Sequence, residues 1–328
     1  MGMVIRAAAT ASPVRASAPD TSYTANAPDT SVRLAARAAQ GCLDEAGLAH
    51  TAVGVLVNVG VYRENNTIEP AMAALVQKEL GLGLDYLADP VAGLSFDLMN
   101  GACGVLNAVK VAQALIGTST TERVLITAAD VHPGGDAGAD PGYPYADLGA
   151  ALLLERHPDE GPGFGTVRAY SARGTVGAAG SLDLSVPGGG GRSRITVRQE
   201  EGWAERLLEL TAESVGAYVR DEGLALDRTL LVTNRPVPGF PELLAARLGV
   251  AGDGVVAAGA PESGEEMAGG GTGVPHTAGT GVPHTAAPVL GYLAALERRL
   301  KPEYEQLLFV SAGAGPSVVC ARYLPGER

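Results

Sequence analysis

The 328-residue chain repeats one order of helices and strands in its two halves. Each half has an amphipathic helix, a short continuous apolar strand, a second helix, a polar link and two further apolar strands. The first copy covers residues 35–47, 53–59, 105–116, 123–129 and 149–154, and the second covers 203–220, 229–233, 287–300, 306–311 and 318–323. Helices that alternate with continuous apolar strands indicate an α/β fold whose sheet is covered on both faces.

The repeat predicts two structural halves, residues 1–165 and 166–328. The length, with a hydrophobic content of 46%, is enough for two core-forming units. Cys103 and His284 stand at equivalent helix starts in the two copies. If the halves pack about a pseudo-two-fold axis, we expect these helix starts to face each other across a central cleft.

Cys103 is the first candidate for a reactive residue. It follows an apolar run (94–98) and a tight turn of small residues, and it directly precedes the helix pattern at 105–116. Peptide N–H groups and the dipole at a helix N-terminus favour thiolate over thiol, and a thiolate is a nucleophile at neutral pH. A free cysteine is also commonly a small buried apolar residue, so the spacing alone leaves both interpretations open.

A perfect tandem octapeptide, GTGVPHTA, occupies residues 271–278 and 279–286 and supplies two candidate histidines, His276 and His284. Two copies are too few for a repeat architecture, and the segment 264–286 is predicted to be irregular. Only His284 directly precedes a helix pattern, so His284 is preferred as the site histidine and His276 is interpreted as a loop residue. Glycine-rich loops are also predicted at 134–145 and 187–193.

The bulk composition excludes several classes of function. A net charge of −12 argues against nucleic acid as a main partner. Three cysteines without paired spacing fit a reducing cytoplasm better than a disulfide framework or a zinc site. No apolar run reaches the roughly 20 residues of a membrane span, and the start of the chain lacks a signal-peptide core. We expect a cytoplasmic protein without a bound metal or cofactor.

Four segments together resemble the thiolase superfamily, and most closely its ketoacyl synthase III branch with the related head-to-head condensing enzymes of olefin pathways. They are SFDLMNGACGVLNAV (95–109), ERVLITAAD (122–130), YADLGAA (145–151) and SAGAGP (311–316). The resemblance implies a five-layer αβαβα fold, a homodimer, and acylation of Cys103 by an acyl thioester of coenzyme A or an acyl carrier protein. It further implies an oxyanion hole of backbone N–H groups, drawn from Cys103, Gly313, Ala314 and Gly315.

Two positions depart from the family pattern. The family usually has histidine after the strand of the second half, where this chain has Asn234, and asparagine at the next helix start, where this chain has His284. The expected set is therefore Cys103, Asn234 and His284, with the two donors exchanged. A neutral imidazole and an amide both donate hydrogen bonds to an oxyanion, but only imidazole also takes a proton near pH 7. Asn234 can also be interpreted as a strand-end cap, and His284 as a helix-cap neighbour.

Glu69 is a further candidate because the pair Glu69-Pro70 resembles a phrase of the olefin-pathway enzyme. There the glutamate enters the partner subunit's site and serves as the base at the substrate α-carbon. A carboxylate desolvated in an acyl tunnel has a raised pKa and can do this work. The alternative is a solvated residue ahead of a proline at a helix start.

Three functions remain open from the sequence. The first is an acyltransferase that forms a carbon–carbon bond by Claisen-type condensation through acyl-Cys103, in fatty-acid-like or polyketide biosynthesis. The second is transfer of the same acyl group to an oxygen or nitrogen nucleophile, with His284 as general base. The third is a non-catalytic partner subunit of another synthase. No recognisable motif specifies the acyl chain length or the second substrate. The choice between coenzyme A and a carrier protein as the donor is also not specified.

Overall fold

The structure is a computed structural model. It describes residues 2–13, 29–85, 87, 89, 93–118, 121–135, 143–173, 177–182, 185, 192–257, 281–298, 304–313 and 315–326.

Thirteen strands are assigned within these ranges. They are β1 (Gly2–Ala11), β2 (Val55–Asn58), β3 (Leu94–Asp97), β4 (Arg123–Asp130), β5 (Leu148–His157), β6 (Gly163–Phe164), β7 (Arg168–Ser171), β8 (Ala178–Ser181), β9 (Thr196–Gln199), β10 (Thr229–Thr233), β11 (Val255–Ala257), β12 (Gln306–Gly313) and β13 (Ser317–Leu324). The α-helices of the same ranges are α1 (Ser31–Ala46), α2 (Met72–Leu80), α3 (Gly104–Thr118), α4 (Trp203–Glu222), α5 (Phe240–Leu248) and α6 (Ala287–Arg298).

The strand order is the same in both halves. In the first half it is β3-β2-β4-β5-β1, and in the second it is β11-β10-β12-β13-β7. In each half the first three strands are parallel and the last two pairings are antiparallel. The short strand β6 pairs with both β1 and β13 and so joins the two halves. The boundary between residues 165 and 166 stays a prediction.

The helices form three layers around the two halves of the sheet. α1 and α2 bury their apolar residues on the outer face of the first half, and α4 and α5 do the same on the second half. α3 and α6 share one core with strands from both halves, which places them in the central layer. This is the predicted αβαβα arrangement, and the fold prediction is confirmed.

The helix that follows Cys103 begins with a glycine at a point of close packing. A Cβ on Gly104 would lie 3.0 Å from Cβ of Val59, because the start of α3 packs tightly against the chain beyond β2. This close approach fixes where the helix begins relative to the sheet. Residues 101–118 are also long and apolar enough to cross a membrane, but half of that stretch is buried inside the protein. The core helix of a soluble protein passes the same test.

Candidate active site

Cys103 lies at the start of the central helix, as its spacing predicts. It ends a single 3-10 turn, Gly101–Cys103, which runs directly into α3. Gly101 has a φ of +50°, in the left-handed region that glycine tolerates without cost. Cys103 is fully buried and belongs to the core shared by the two halves.

The sulfur of Cys103 faces the strand pair β12–β13. Its Sγ atom lies 3.4 Å from the Ser311 carbonyl oxygen, and 3.8 and 3.7 Å from the carbonyl and hydroxyl oxygens of Ser317. Burial raises the pKa of the thiol to about 11, and hydrogen bonds from the Ser317 hydroxyl and the Val319 backbone act in the opposite direction. The expected thiolate at the helix start is therefore not the resting form, because loss of solvation outweighs the hydrogen bonds.

His284 lies three residues before the first residue of α6 and reaches the turn that carries the cysteine. A Cβ on Gly101 would lie 3.2 Å from Nε2 of His284, so this nitrogen faces the backbone two residues before Cys103. The structure thus brings together the two helix starts that the repeat pattern pairs. The His284 side chain is 9% exposed.

The other nitrogen of the imidazole faces Asp130, the last residue of β4. Nδ1 of His284 lies 3.3 Å from Oδ2 of Asp130. An ionised carboxylate only accepts hydrogen bonds, so Nδ1 carries the hydrogen and Nε2 of the neutral ring is left as the proton acceptor. The pair therefore holds the imidazole in the tautomer that a general base requires.

Asp130 is buried but fully hydrogen-bonded. Oδ1 accepts hydrogen bonds from the backbone N–H groups of Val61 and Tyr62, and Oδ2 accepts from the N–H and hydroxyl groups of Thr285. Burial by itself raises the pKa of this carboxyl, but the neighbouring His284 and these hydrogen bonds lower it to about 2. Asp130 is therefore a permanent anion beneath the histidine.

Three tyrosines surround the exposed side of the imidazole. The rings of Tyr145 and Tyr62 lie 4.2 and 5.2 Å from the His284 ring, centroid to centroid, and Tyr143 packs edge-on against both tyrosines. Burial raises the pKa of all three hydroxyl groups, so they stay neutral. These rings restrict the rotation of His284 and shield its bond to Asp130 from water.

Asn234 lies at the carboxyl end of β10, where the sequence places it, but its amide is engaged with the backbone. Nδ2 donates to the Ala312 carbonyl oxygen at 2.8 Å, and Oδ1 accepts from the Ala312 N–H at 2.9 Å. Both bonds go to one residue of β12, so the side chain clamps the ends of the two strands. One Nδ2 hydrogen is left over for any other acceptor.

The predicted oxyanion-hole residues lie close to the sulfur but are only partly described. Gly313 ends β12, and a Cβ on it would lie 3.0 Å from Sγ of Cys103. The Cys103 N–H donates to the Asn100 carbonyl oxygen at 3.0 Å, so this donor already has an acceptor. Gly315 is exposed, and Ala314 lies outside the described residues.

Among the described residues, no contact joins Glu69 to Cys103 of the same chain. It is exposed, on a segment where Ile68 is 70% exposed, and a cis peptide bond links it to Pro70. The expected desolvated tunnel is not formed around Glu69 within one chain. His276 lies outside the described residues.

Two surface cavities are lined by other residues. One of about 350 Å³ is lined by residues of α1 and α2 with Asp29, and the other, of about 250 Å³, is lined by Val61, Leu182, parts of 63–68, Asp97 and Met99. Neither contains Cys103 or His284. The buried cluster of Cys103, His284 and Asp130 is the candidate site, because a thiol, an imidazole and a carboxylate converge there.

Sequence reasoning missed Asp130 and Ser317 as site residues. Asp130 ends an otherwise apolar strand, RVLITAAD, whose last seven residues are all buried. A charged residue at the end of a buried strand needs partners, so this position was a detectable signal. Ser317 gave no such signal, because a serine after a glycine-containing segment is also common on exposed loops.

Solved structures of known enzymes share this fold over the whole chain. The match to 3-oxoacyl-(acyl carrier protein) synthase III, FabH, from Pseudomonas aeruginosa has a TM-score of 0.71 at 17% identity, covering 100% of this chain and 99% of that one. The tetronic acid condensing enzyme AbyA1 gives a TM-score of 0.70 at 19% identity, over 98% and 100% of the two chains. A variant of OleA from Xanthomonas campestris gives 0.71 at 13% identity, over 99% and 98%.

Comparisons of sequence gave less. No protein-family model matches the chain, and no curated protein matches it. The structural likeness confirms the predicted resemblance at the level of architecture, since both halves and all their layers are covered. The chain has the thiolase fold of the ketoacyl synthase III enzymes.

Proposed function

We propose that the protein is an acyltransferase that works through an acyl-Cys103 thioester and condenses acyl thioesters by forming a carbon–carbon bond. The observation that carries this proposal is the meeting of Cys103 and the Asp130–His284 pair at the two central helix starts. The fold shared with enzymes named as an oxoacyl synthase and a condensing enzyme supports it. The setting is fatty-acid-like or polyketide biosynthesis, in the cytoplasm.

The first half-reaction loads the enzyme. The Cys103 thiol gives up its proton, and the sulfur attacks the carbonyl carbon of an acyl thioester. A new S–C bond forms, the bond from that carbon to the sulfur of coenzyme A or the carrier protein breaks, and the departing thiolate takes a proton. A thiol with a pKa of about 11 needs a base for this step, and we assign that role to Nε2 of His284, which faces the turn that leads into Cys103.

The second half-reaction consumes the acyl group. In a condensation a base removes a proton from the α-carbon of a second acyl thioester, the resulting carbanion attacks the acyl-Cys103 carbonyl, and Cys103 leaves as a thiolate. Glu69 of a second copy of the chain is our candidate for that base. Its exposure in the single chain is compatible with a role in the neighbouring site.

A second candidate function is transfer of the acyl group to an oxygen or nitrogen nucleophile. The Asp130–His284 pair favours it, because a carboxylate-oriented imidazole deprotonates a hydroxyl or amine directly. Asn234 favours it too, since its two bonds to Ala312 tie the amide to the backbone and leave only one Nδ2 hydrogen for a substrate carbonyl. No α-proton is removed in this reaction, and Glu69 then has no chemical role.

The proposed homodimer uses the edge of the sheet at β3. This strand ends the strand order, and large apolar side chains are exposed around it: Leu94 is 50% exposed, Met99 56% and Ile68 70%. An open strand edge with exposed apolar neighbours is suited to pairing with a second copy. Sedimentation of the wild type and of Leu94→Glu tests this, with a dimer expected only for the wild type.

One experiment tests the central proposal. The protein is incubated with acyl-coenzyme A and acyl-carrier-protein donors of short and long chain, and its intact mass is measured. We expect an added acyl mass in the wild type and none in Cys103→Ala. Absence of an adduct with every donor would favour the non-catalytic partner subunit instead. The acylated protein is then mixed with carbon, oxygen or nitrogen acceptors, and the rate at which each acceptor removes the acyl group from Cys103 is compared.

A further inference from the structure

Three oxygen atoms surround the sulfur of Cys103, and only one of them can change its hydrogen-bonding role. The carbonyl oxygens of Ser311 and Ser317 lie 3.4 and 3.8 Å from Sγ, and the hydroxyl oxygen of Ser317 lies 3.7 Å away. A carbonyl oxygen accepts hydrogen bonds and never donates them. A serine hydroxyl does both, because its hydrogen rotates about the C–O bond.

The two protonation states of the cysteine therefore see different surroundings. As a thiol, Cys103 donates its hydrogen to a carbonyl oxygen, with Ser311 the nearer. As a thiolate, it faces two carbonyl oxygens whose negative ends repel it, and it needs donors. The Ser317 hydroxyl and the Val319 backbone N–H are the groups of β13 that can donate to it. The backbone group is fixed, so the hydroxyl is the part of the site that adjusts.

The space for this hydroxyl is kept open by a glycine. A Cβ on Gly313 would lie 2.9 Å from Oγ of Ser317 and 3.0 Å from Sγ of Cys103. A side chain at position 313 would therefore displace the Ser317 hydroxyl or the Cys103 sulfur. Gly313 and Ser317 are paired across β12 and β13, so the strand register itself sets this geometry.

We propose that Ser317 is a positioning residue: the resting thiol of Cys103 donates to the Ser311 carbonyl oxygen, and the Ser317 hydroxyl turns to donate to the thiolate that attacks the substrate. The inference rests on the proposed role of Cys103 as the nucleophile and deepens it. In this proposal Ser317 of β13 stabilises the thiolate, and His284, near the start of α6, takes the proton.

Few ionisable groups face Cys103 from the elements packed against it. β12 contains none, and the lysine of α3, Lys110, is exposed. β13 contributes Cys320, Arg322 and Tyr323. The Cys320 side chain belongs to the core on the opposite face of the strand, although a charge on Cys103 raises the pKa of the Cys320 thiol. The remaining groups are His284, against Gly101, and Asp130 behind it. The Ser317 variants leave Cys320, His284 and Asp130 in place, so a change in the Cys103 midpoint reports on the side chain at position 317.

The test is the titration of Cys103 in the folded protein. Thiolate absorbance in the ultraviolet is followed against pH, and the curve of the matching Cys103→Ala protein is subtracted to remove Cys42, Cys320 and the tyrosines. We expect Ser317→Ala to raise the midpoint by about one pH unit, which is about a tenfold loss of thiolate at a fixed pH below it. Ser317→Thr, which keeps the hydroxyl, should stay within a few tenths of a unit of the wild type.

Two comparisons separate the hydroxyl from mere packing. Thr and Val at position 317 have the same shape, so Ser317→Val should show the raised midpoint that Ser317→Thr does not, even if Ser317→Ala fails to fold. Ser171→Ala, at the exposed position that pairs with Ser317 across β7 and β13, should leave the midpoint unchanged. An unchanged midpoint in Ser317→Val, or equal shifts for Thr and Val, would overturn the inference.

The result is independent of acyl transfer. Suppose that the wild type takes no acyl group while its Cys103 midpoint still depends on the hydroxyl at position 317. That result would contradict the proposed function and support the hydrogen bond from Ser317 to the thiolate. An acylated protein whose midpoint ignores that hydroxyl would do the reverse.

Discussion

His284 and Asp130 come from opposite halves of the chain, 154 positions apart, yet Nδ1 of the imidazole lies 3.3 Å from the Asp130 carboxylate. The bond joins the start of α6 to the end of β4. It fixes which nitrogen carries the hydrogen, and it turns the other nitrogen towards the backbone that leads into Cys103. With Nδ1 donating to Asp130, Nε2 of His284 is left as a proton acceptor, which is the arrangement that our proposed general base requires.

Replacing Asp130 by Asn tests this relationship. An amide cannot hold the imidazole in one tautomer, and it removes the charge that stabilises the protonated ring. We expect kcat/KM for acyl transfer to fall by about 100-fold or more, within the range that a positioned general base contributes. The rate of adduct formation on Cys103, measured by rapid mixing and mass spectrometry, checks the first half-reaction. A variant with the wild-type rate would contradict the role of the pair.

Asp130 should also make the folded state sensitive to acid. Its pKa is about 2 in the folded protein and 3.8 in the reference state, so the unfolded chain binds the proton more tightly. The contribution to stability is complete above about pH 4 and is lost as the pH falls through 2; a difference of this size corresponds to about 2 kcal/mol. Urea unfolding at a series of pH values should show this loss in the wild type. Asp130→Asn should lack that component.

Cys103→Ala should abolish acylation while leaving the fold intact. Cysteine and alanine differ by one buried sulfur atom, and the backbone of the turn does not depend on it. The matched control is Cys42→Ala in α1, where another buried thiol donates to the Ala151 carbonyl oxygen. Burial raises the pKa of Cys42 to about 12, so it should take no acyl group. Acylation that survives in Cys103→Ala, or disappears in Cys42→Ala, would assign the nucleophile elsewhere.

Asn234→Ala should act on stability and on the shape of the site together. The change leaves the N–H and carbonyl groups of Ala312 without their side-chain partners in a buried place, which costs about 1 to 3 kcal/mol for each unsatisfied group. We expect a fall of about 2 kcal/mol or more in the free energy of unfolding. Asn234→Asp separates the two roles, because it keeps the acceptor for the Ala312 N–H. Full stability in Asn234→Ala would show that the clamp is not needed.

Glu69 separates condensation from transfer to oxygen or nitrogen. If it removes the α-proton in a second copy's site, Glu69→Gln should keep acylation of Cys103 but lose condensation by about 100-fold. Mixing inactive Glu69→Gln with inactive Cys103→Ala should then restore activity, up to about a quarter of wild type, because half of randomly formed dimers hold one intact site. Unchanged activity in Glu69→Gln would instead support transfer to an oxygen or nitrogen nucleophile. A loss without rescue would restrict Glu69 to its own chain.

Several parts of the fold follow directly from local pattern. The helix at 203–220 and the strand at 229–233 lie within α4 and β10, since long amphipathic helices and continuous apolar strands carry strong signals. The two-residue strand β6 and the hairpin β8–β9 were not predicted. β6 is buried but only two residues long, and β8 and β9 have four mostly exposed residues each. Such short segments carry little periodic signal, so their pairing depends on neighbours that are distant in the chain.

The site shows the same division between local and distant information. The sequence by itself determined an α/β fold with two repeated halves and the place of Cys103 at a helix start, because these follow from residue order and periodicity. The five-layer αβαβα arrangement and the exchange of asparagine and histidine were implied by the resemblance to the ketoacyl synthase III enzymes. Only the tertiary structure decided that His284 bonds to Asp130, that Asn234 is held by Ala312, and that burial keeps Cys103 protonated at rest. Hydrogen-bond partners and desolvation are properties of groups brought together across both halves, and no local window of sequence contains them.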